Sequence, residues 1–177
     1  MNVYPFSLGK ICNPAVDRKD QRSLLGKQSA KSCPYLGEVY PAPIFGDDTV
    51  LVELERVCTR YGLCFNEQHP GPYVNHDYVF GAGSVGFHAD DGMRLTAAVL
   101  VAVAPISAGI REVLYQGEPC CLIAGGKCLA LEVGDAFVFN GDVEHAWMAN
   151  CRWVIATQSV RKRKKGLIAC STSEKRV

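Results

Sequence analysis

The chain has 177 residues, of which 48% are hydrophobic and 21% charged, and its formal net charge at pH 7 is +1. This length suits one domain with a hydrophobic core, and the composition is ordinary for a soluble globular protein. The longest apolar run, residues 95–104, is shorter than the roughly 18 residues of a membrane helix, and the first ten residues lack a signal-peptide pattern. We therefore expect an intracellular protein without a membrane partner.

The nine cysteines are an odd number, and none lies in a Cys-x-x-Cys pair. This pattern argues against a zinc ribbon and against a thioredoxin-type motif. A disulfide framework is not expected without a secretion signal. Cys120 and Cys121 are adjacent in a predicted strand, and we expect both to be reduced, half-buried thiols.

Positive charge is concentrated at the two ends of the chain. Basic residues outnumber acidic ones up to residue 31, and the run Arg161–Lys165 follows near the C-terminus, so the middle of the chain is acidic. Basic ends can bind a polyanion such as nucleic acid, or they can be solvated and disordered. Both interpretations stay open, and the sequence carries no signal for an oligomeric state.

The first predicted regular element is a helix. Residues 1–43 show no sustained periodicity, and we predict a loop-rich extension whose short extended pieces pack on the domain. Asp47, Asp48 and Thr49 offer capping groups for a helix that runs to about Tyr61. Its apolar residues fall on one stripe, and Gly62 is a typical C-terminal stop. We expect this helix to pack on a sheet.

Short strands follow the helix. The predicted strands are Val74–Phe80, Val85–His88, Leu95–Ala104, Ile110–Tyr115, Cys120–Ile123, Cys128–Leu131, Ala136–Phe139, Val143–Trp147 and Arg152–Val160. Gly125-Gly126 is a hairpin signal. Many short strands after one helix predict a mainly β domain over residues 44–160, an antiparallel barrel or jelly roll, with a basic, flexible tail at 161–177.

Three residues form a candidate metal site. His88 and Asp90 are two residues apart in an extended segment, so their side chains point to one face and can bind one metal ion. His145 offers a third ligand from another strand. Two histidines and one carboxylate leave positions on an iron ion open for a chelating cosubstrate and O2. Trp147, two residues after His145, either lines the pocket or packs in the core.

The residues around these ligands resemble a known family. Residues 76–91, HDYVFGAGSVGFHADD, resemble the pattern N-x-Y-x-x-G-x-x-x-I-G-x-H-x-D-D of the AlkB-like branch of the Fe(II)- and 2-oxoglutarate-dependent oxygenases. Residues 131–139 resemble the strand, turn and strand that lead to the distal histidine of that family, and residues 151–155 are similar to its C-R-Y-N-L segment. The resemblance covers residues 76–160 and implies a double-stranded β-helix, a cupin-like jelly roll.

The resemblance also implies roles for single residues. His88, Asp90 and His145 are expected to bind Fe(II), and Arg152 to form a bidentate pair with the distal carboxylate of 2-oxoglutarate. Three further positions of the pattern belong to the cosubstrate site: Tyr78, His76 and Gln158. The implied reaction consumes O2 and 2-oxoglutarate, releases succinate and CO2, and hydroxylates a substrate. An N-methyl group hydroxylated in this way is lost as formaldehyde.

The chain departs from the pattern at three positions. His76 replaces an asparagine, Gln158 replaces a second arginine, and Gly92 replaces an acidic residue that helps to read a nucleobase. These changes leave the iron ligands in place but leave the substrate open.

The sequence therefore leaves three functions open. The first is hydroxylation or demethylation of a nucleobase in DNA or RNA, which the basic ends support. The second is hydroxylation of a protein side chain or small molecule, which the short segment between His145 and Arg152 favours. The third is a non-catalytic cupin-like metal-binding module, for which the missing second arginine is the support.

Overall fold

The computed structural model describes residues 5–11, 38–40, 49–66, 78–90, 95–105 and 118–163. These residues form one helix, α1 (Thr49–Arg60), and eleven strands. The strands are β1 (Phe6–Lys10), β2 (Glu38–Tyr40), β3 (Leu63–Phe65), β4 (Tyr78–Ala82), β5 (Val85–His88), β6 (Thr96–Pro105), β7 (Cys120–Ala124), β8 (Lys127–Leu131), β9 (Asp135–Phe139), β10 (His145–Ala149) and β11 (Cys151–Lys162). The predicted mainly β class with one helix is confirmed.

The strands form two antiparallel sheets. The larger sheet has the order β1-β9-β6-β11-β4-β2, with β3 paired to the end of β11, and the smaller sheet has the order β5-β10-β7-β8. From β4 to β11 the chain passes from one sheet to the other at almost every connection. The exception is the β7–β8 hairpin, where Gly125 and Gly126 take the positive φ angles that a tight hairpin turn requires.

Two hydrophobic clusters define the faces of the larger sheet. The inner cluster lies between the two sheets and includes Leu100, Leu122, Phe137, Trp147 and Trp153. The outer cluster lies between the larger sheet and α1 and includes Val50, Leu54, Tyr78, Val99 and Val154. The apolar stripe of α1 thus covers one face of the larger sheet, and the smaller sheet covers the other.

Side chains of β11 alternate between these two clusters. Cys151, Trp153 and Ile155 pack with the inner cluster, whereas Val154 and Ala156 pack with the outer cluster. This alternation is the period of two that a strand imposes. Even-numbered residues of β11 therefore lie on the α1 side, and odd-numbered residues face the smaller sheet.

Helix α1 starts at Thr49, the last of the three predicted capping residues, and ends at Arg60, one residue before the predicted end; Gly62 follows with φ of 70°. In the N-terminal extension, residues 6–10 form an edge strand that pairs with β9. Strand β11 continues to Lys162, two residues beyond its predicted end. The predicted strand at 110–115 lies outside the described residues. No helix in the described ranges is long and apolar enough to cross a membrane.

The expectation for Cys121 was wrong. Cys121 forms a disulfide with Cys128, with 6.4 Å between their Cα atoms. The hairpin register pairs Cys121 with Ala130 and Cys128 with Ile123, so the two cysteines are diagonal neighbours on one face of the hairpin. Cys120, one residue earlier, points to the opposite face and is a buried free thiol.

Candidate metal centre

The metal-site residues meet where β5 ends and β10 begins. His88 and His145 are register partners in the antiparallel pair of these strands. Asp90 follows β5, and its backbone N–H donates to the carbonyl of Gly141, 2.8 Å away, in the turn before β10. One possible ligand atom from each of the three side chains lies within 4.8 Å of the others. Strand pairing and this turn contact together bring the two distant segments to one site.

A bulge in β5 determines where His88 points. On β10 the paired residues are His145 and Trp147, whereas on β5 they are His88 and Val85, so β5 contains one extra residue. In a regular strand Val85 and His88 would face opposite sides. Here Val85 packs with the inner cluster and His88 faces His145. Bulges commonly re-aim a side chain beside a functional site.

Backbone carbonyls orient both imidazole rings. Nδ1 of His88 lies 2.8 Å from the carbonyl oxygen of Gly86, and Nδ1 of His145 lies 2.9 Å from that of Val143. A carbonyl oxygen only accepts hydrogen bonds, so each Nδ1 carries the proton and donates it. Both Nε2 atoms then point to the carboxylate of Asp90, at 3.4 Å from His88 and 3.5 Å from His145. Such contacts hold the rings of metal-binding histidines in one tautomer.

The site is buried on one side and accessible on the other. The side chain of His145 is 5% exposed, whereas those of His88 and Asp90 are 41% and 33% exposed. The ring of Phe139 covers His145, with 4.9 Å between ring centroids. Burial lowers the pKa of His145, but hydrogen bonds to Asp90 and to the Val143 carbonyl, with the charge of Asp90, raise it above its ordinary value.

This donor set fits a divalent transition metal. Two imidazole nitrogens and a carboxylate oxygen converge from one side, which leaves further coordination positions for other ligands. The protonated Nδ1 atoms leave each Nε2 with its lone pair directed at the common point. The structure therefore brings together the three residues that the sequence predicted as iron ligands.

The residues predicted to bind the cosubstrate lie elsewhere. Tyr78 is fully buried in the outer cluster, and its register partner on β11 is Ala156. Arg152 and Gln158 are even-numbered residues of β11, so they share the α1 side of the sheet with Val154 and Ala156. Position 76 lies outside the described residues. None of the three described residues is on the face that looks toward His88 and His145.

Two polar residues that face the smaller sheet were not recognised as site residues from the sequence. Thr96 begins β6 and Ser159 is its partner on β11. Thr96 also pairs with Phe139, the residue whose ring covers His145. The sequence signal for Thr96 was its position as a polar residue at the start of the apolar run 95–104. Only the strand register shows which residues Thr96 faces.

Comparisons with models of protein families, with curated proteins and with solved structures returned no significant match. The structure itself therefore defines the class, a mainly β protein with one described helix and a candidate His-Asp-His metal centre.

Proposed function

We propose that the protein is an Fe(II)- and 2-oxoglutarate-dependent dioxygenase of the AlkB-like type. The observation that carries this proposal is the convergence of His88 Nε2 and His145 Nε2 on the carboxylate of Asp90. Two histidines and one carboxylate with open positions are the ligand set of non-haem Fe(II) oxygenases. When bound, iron with 2-oxoglutarate and O2 supplies hydroxylation of a substrate with release of succinate and CO2.

The strand order supports a double-stranded β-helix, the fold proposed for this enzyme class. Strands β4 to β11 provide eight strands in two groups of four, β9-β6-β11-β4 and β5-β10-β7-β8. A jelly roll has eight strands in two facing sheets, and ligand sites are common at the mouths of such barrels. The candidate centre lies at one end of the smaller sheet, where β5 ends and β10 begins.

The protein's own residues position the metal ligands and shield one side of the centre. The carbonyls of Gly86 and Val143 orient the two rings, and Phe139 keeps water from the buried side of His145. On the accessible side, the side chains of His88 and Asp90 are 41% and 33% exposed. A substrate is expected to approach from that side.

A nucleobase in DNA or RNA is the proposed substrate. The C-terminal end of β11 carries exposed basic residues, Arg161–Arg163. Ser159, two residues before this segment, pairs with Thr96, which in turn pairs with Phe139 beside His145. The cationic strand end thus belongs to the same sheet as Phe139, two strands away, and phosphate binding by such a segment depends strongly on salt.

Spectroscopy under anaerobic conditions tests the cofactor chemistry. Addition of Fe(II) and then 2-oxoglutarate is expected to produce the visible charge-transfer band of the chelate. Asp90→Ala should lose the band because one ligand is removed. Asp142→Asn changes an exposed carboxylate in the turn before His145 and should keep it. No band in folded, iron-loaded wild-type protein would refute the proposal.

Succinate release in the presence of oligonucleotides, peptides and nucleosides tests the substrate class. With single-stranded, methylated oligonucleotides, turnover at low substrate concentration is expected to fall steeply as salt rises. Turnover only with peptides or free nucleosides, without dependence on salt, would favour the hydroxylase of a protein side chain or small molecule.

A metal-binding module without turnover is the second candidate function. It is favoured by the position of Tyr78 and Arg152 on the α1 side of the larger sheet. In that case the protein binds a divalent metal through His88, Asp90 and His145, but 2-oxoglutarate adds no heat of binding to the metal-loaded protein. The two candidates are thus separated by a titration that requires no substrate.

A further inference from the structure

In the part of the chain that the structure describes, two buried side-chain polar atoms lack a hydrogen-bond partner. They are Oγ1 of Thr96 and Nε1 of Trp147, in residues that are 2% and 6% exposed. A buried polar group without a partner costs free energy, and native proteins keep few of them. Both atoms therefore indicate a hydrogen-bonding group other than the described residues.

Trp147 lies directly inward from the metal ligands. It follows His145 by two residues on β10, so both side chains point to the same face. Its ring contacts Trp153 and Phe137 in the inner cluster, with centroid distances of 5.4 and 6.1 Å. The indole N–H is thus enclosed between the two sheets, on the same face of the smaller sheet as His145.

Thr96 faces the same space from the opposite sheet. Its register partner on β9 is Phe139, whose ring packs on His145. Ala98, two residues further along β6, belongs to the inner cluster, so Thr96 also points between the sheets. On the other side of Thr96 its register partner is Ser159 of β11. The hydroxyl of Ser159 already accepts a hydrogen bond from Nδ2 of Asn66 at 2.8 Å. The hydroxyl of Ser159 thus has a partner, whereas no described residue offers one to the hydroxyl of Thr96.

We propose that Thr96 and Trp147 hold the oxygen atoms of a small organic acid of the 2-oxo acid class between the sheets, beside the metal. This inference rests on the proposed function and names this chain's own residues for the organic ligand. The indole N–H and the threonine hydroxyl both donate to a carboxylate or keto oxygen, and hydrogen bonds to ionised groups are the stronger ones. Neutral donors then bind the acid, while Arg152 remains on the α1 side.

Calorimetric titration of 2-oxoglutarate into the Mn(II)-loaded full chain tests this assignment without turnover. Thr96→Val and Trp147→Phe each remove one donor and are expected to raise the Kd for 2-oxoglutarate about tenfold, with the affinity for Mn(II) unchanged. Trp153→Phe is the matched control, because Nε1 of Trp153 already donates to the carbonyl of Gly83 at 2.9 Å. That variant should unfold at a lower temperature but keep the Kd.

The thermal stability of the ligand-free protein is a second readout. Thr96→Val preserves side-chain shape and removes an unpaired hydroxyl, so its Tm in the absence of metal and acid should equal or exceed that of the wild type. A lower Tm would show that the hydroxyl has a partner within the chain and would overturn the inference.

The outcomes separate this inference from the function on which it rests. Metal-dependent binding of 2-oxoglutarate that both variants retain, but that Arg152→Ala loses, overturns the roles of Thr96 and Trp147 and leaves the oxygenase proposal intact. A folded, Mn(II)-loaded wild type that does not bind 2-oxoglutarate overturns both.

Discussion

At the scale of single residues, the two histidines of the centre differ in what surrounds them. His145 is enclosed by Phe139 and the inner cluster, whereas His88 lies at the exposed end of β5. Both have the same hydrogen-bonding arrangement, in which a carbonyl two residues earlier in the chain accepts from Nδ1. The two rings should therefore contribute equally to metal binding but unequally to stability.

We predict that His88→Ala and His145→Ala both abolish metal binding, whereas only His145→Ala strongly destabilises the metal-free fold. Removal of the buried His145 ring leaves a cavity against Phe139. We therefore expect His145→Ala to lower the free energy of unfolding by about 2 kcal/mol more than His88→Ala does. Denaturant unfolding in the presence of a chelator measures this difference. Equal losses in the two variants would contradict the burial of His145.

Gly81 lies directly against the indole of Trp153, its register partner on β11. A Cβ on Gly81 would overlap the indole of Trp153, which is held in place by its hydrogen bond to Gly83. Gly81→Ala should therefore lower the free energy of unfolding by about 1–3 kcal/mol. Gly86→Ala is the control, because nothing lies within 4 Å of the Cβ position there. Unfolding of both variants at the same denaturant concentration would contradict the close contact between Gly81 and Trp153.

At the scale of elements, the register of strand pairing decides which side chains meet. The extra residue of β5 turns His88 toward His145 and supplies the Gly86 carbonyl that orients its ring. The hairpin β7–β8 has regular pairing, and its register brings Cys121 and Cys128 to one face. Neither feature follows from the local sequence, because each depends on which residues of a second strand lie opposite.

Deletion of Gly86 tests the role of the bulge. Pairing between β5 and β10 becomes continuous, and the carbonyl two residues before His88 is then that of Val85. In a regular strand this carbonyl lies in the plane of the sheet, so it no longer accepts from Nδ1 of His88. We expect metal affinity to fall about 10- to 100-fold, as for other losses of a supporting hydrogen bond, with the fold retained. Metal titration and the far-ultraviolet circular dichroism spectrum measure the two effects. Unchanged metal affinity in a folded deletion variant would show that the bulge does not orient His88.

The cross-strand disulfide leads to a prediction about redox conditions. Reduction should lower the free energy of unfolding of the wild type by about 2–3 kcal/mol, because the cross-link no longer restricts the unfolded chain. The double variant Cys121→Ala, Cys128→Ala should be insensitive to the reductant. Mass spectrometry of a non-reduced digest should find the peptides that contain Cys121 and Cys128 linked. Their separate recovery would contradict the pairing.

At the scale of the whole molecule, a metal ion would tie the end of β5 to the start of β10 and so close one end of the smaller sheet. A ligand that binds only the native state stabilises it by mass action, by about 2.7 kcal/mol when its free concentration is 100 times its Kd. We predict that Mn(II) or Fe(II) above its Kd raises the Tm of the wild type with the logarithm of its free concentration and has no effect on Asp90→Ala. An equal rise in both proteins would place the metal elsewhere.

The sequence by itself determined the elements whose signals are local. The stripe of apolar residues and Gly62 predicted α1 to within a residue of its end, and alternating short runs predicted most of the strands. The spacing of His88 and Asp90 and the position of His145 predicted the three candidate metal ligands that the structure brings together. These signals sufficed because capping, helical periodicity and a two-residue spacing act within one segment of chain.

Only the tertiary structure decided which face each residue occupies. A motif match does not say which face of a sheet a residue occupies. The sequence predicts cosubstrate roles for Tyr78 and Arg152, and the strand register puts both residues on the α1 side of the larger sheet. Likewise, the unpartnered groups of Thr96 and Trp147 become visible only when the two sheets face each other. The physical reason is that register, bulges and burial arise from hydrogen bonds and packing between segments that are distant in the chain.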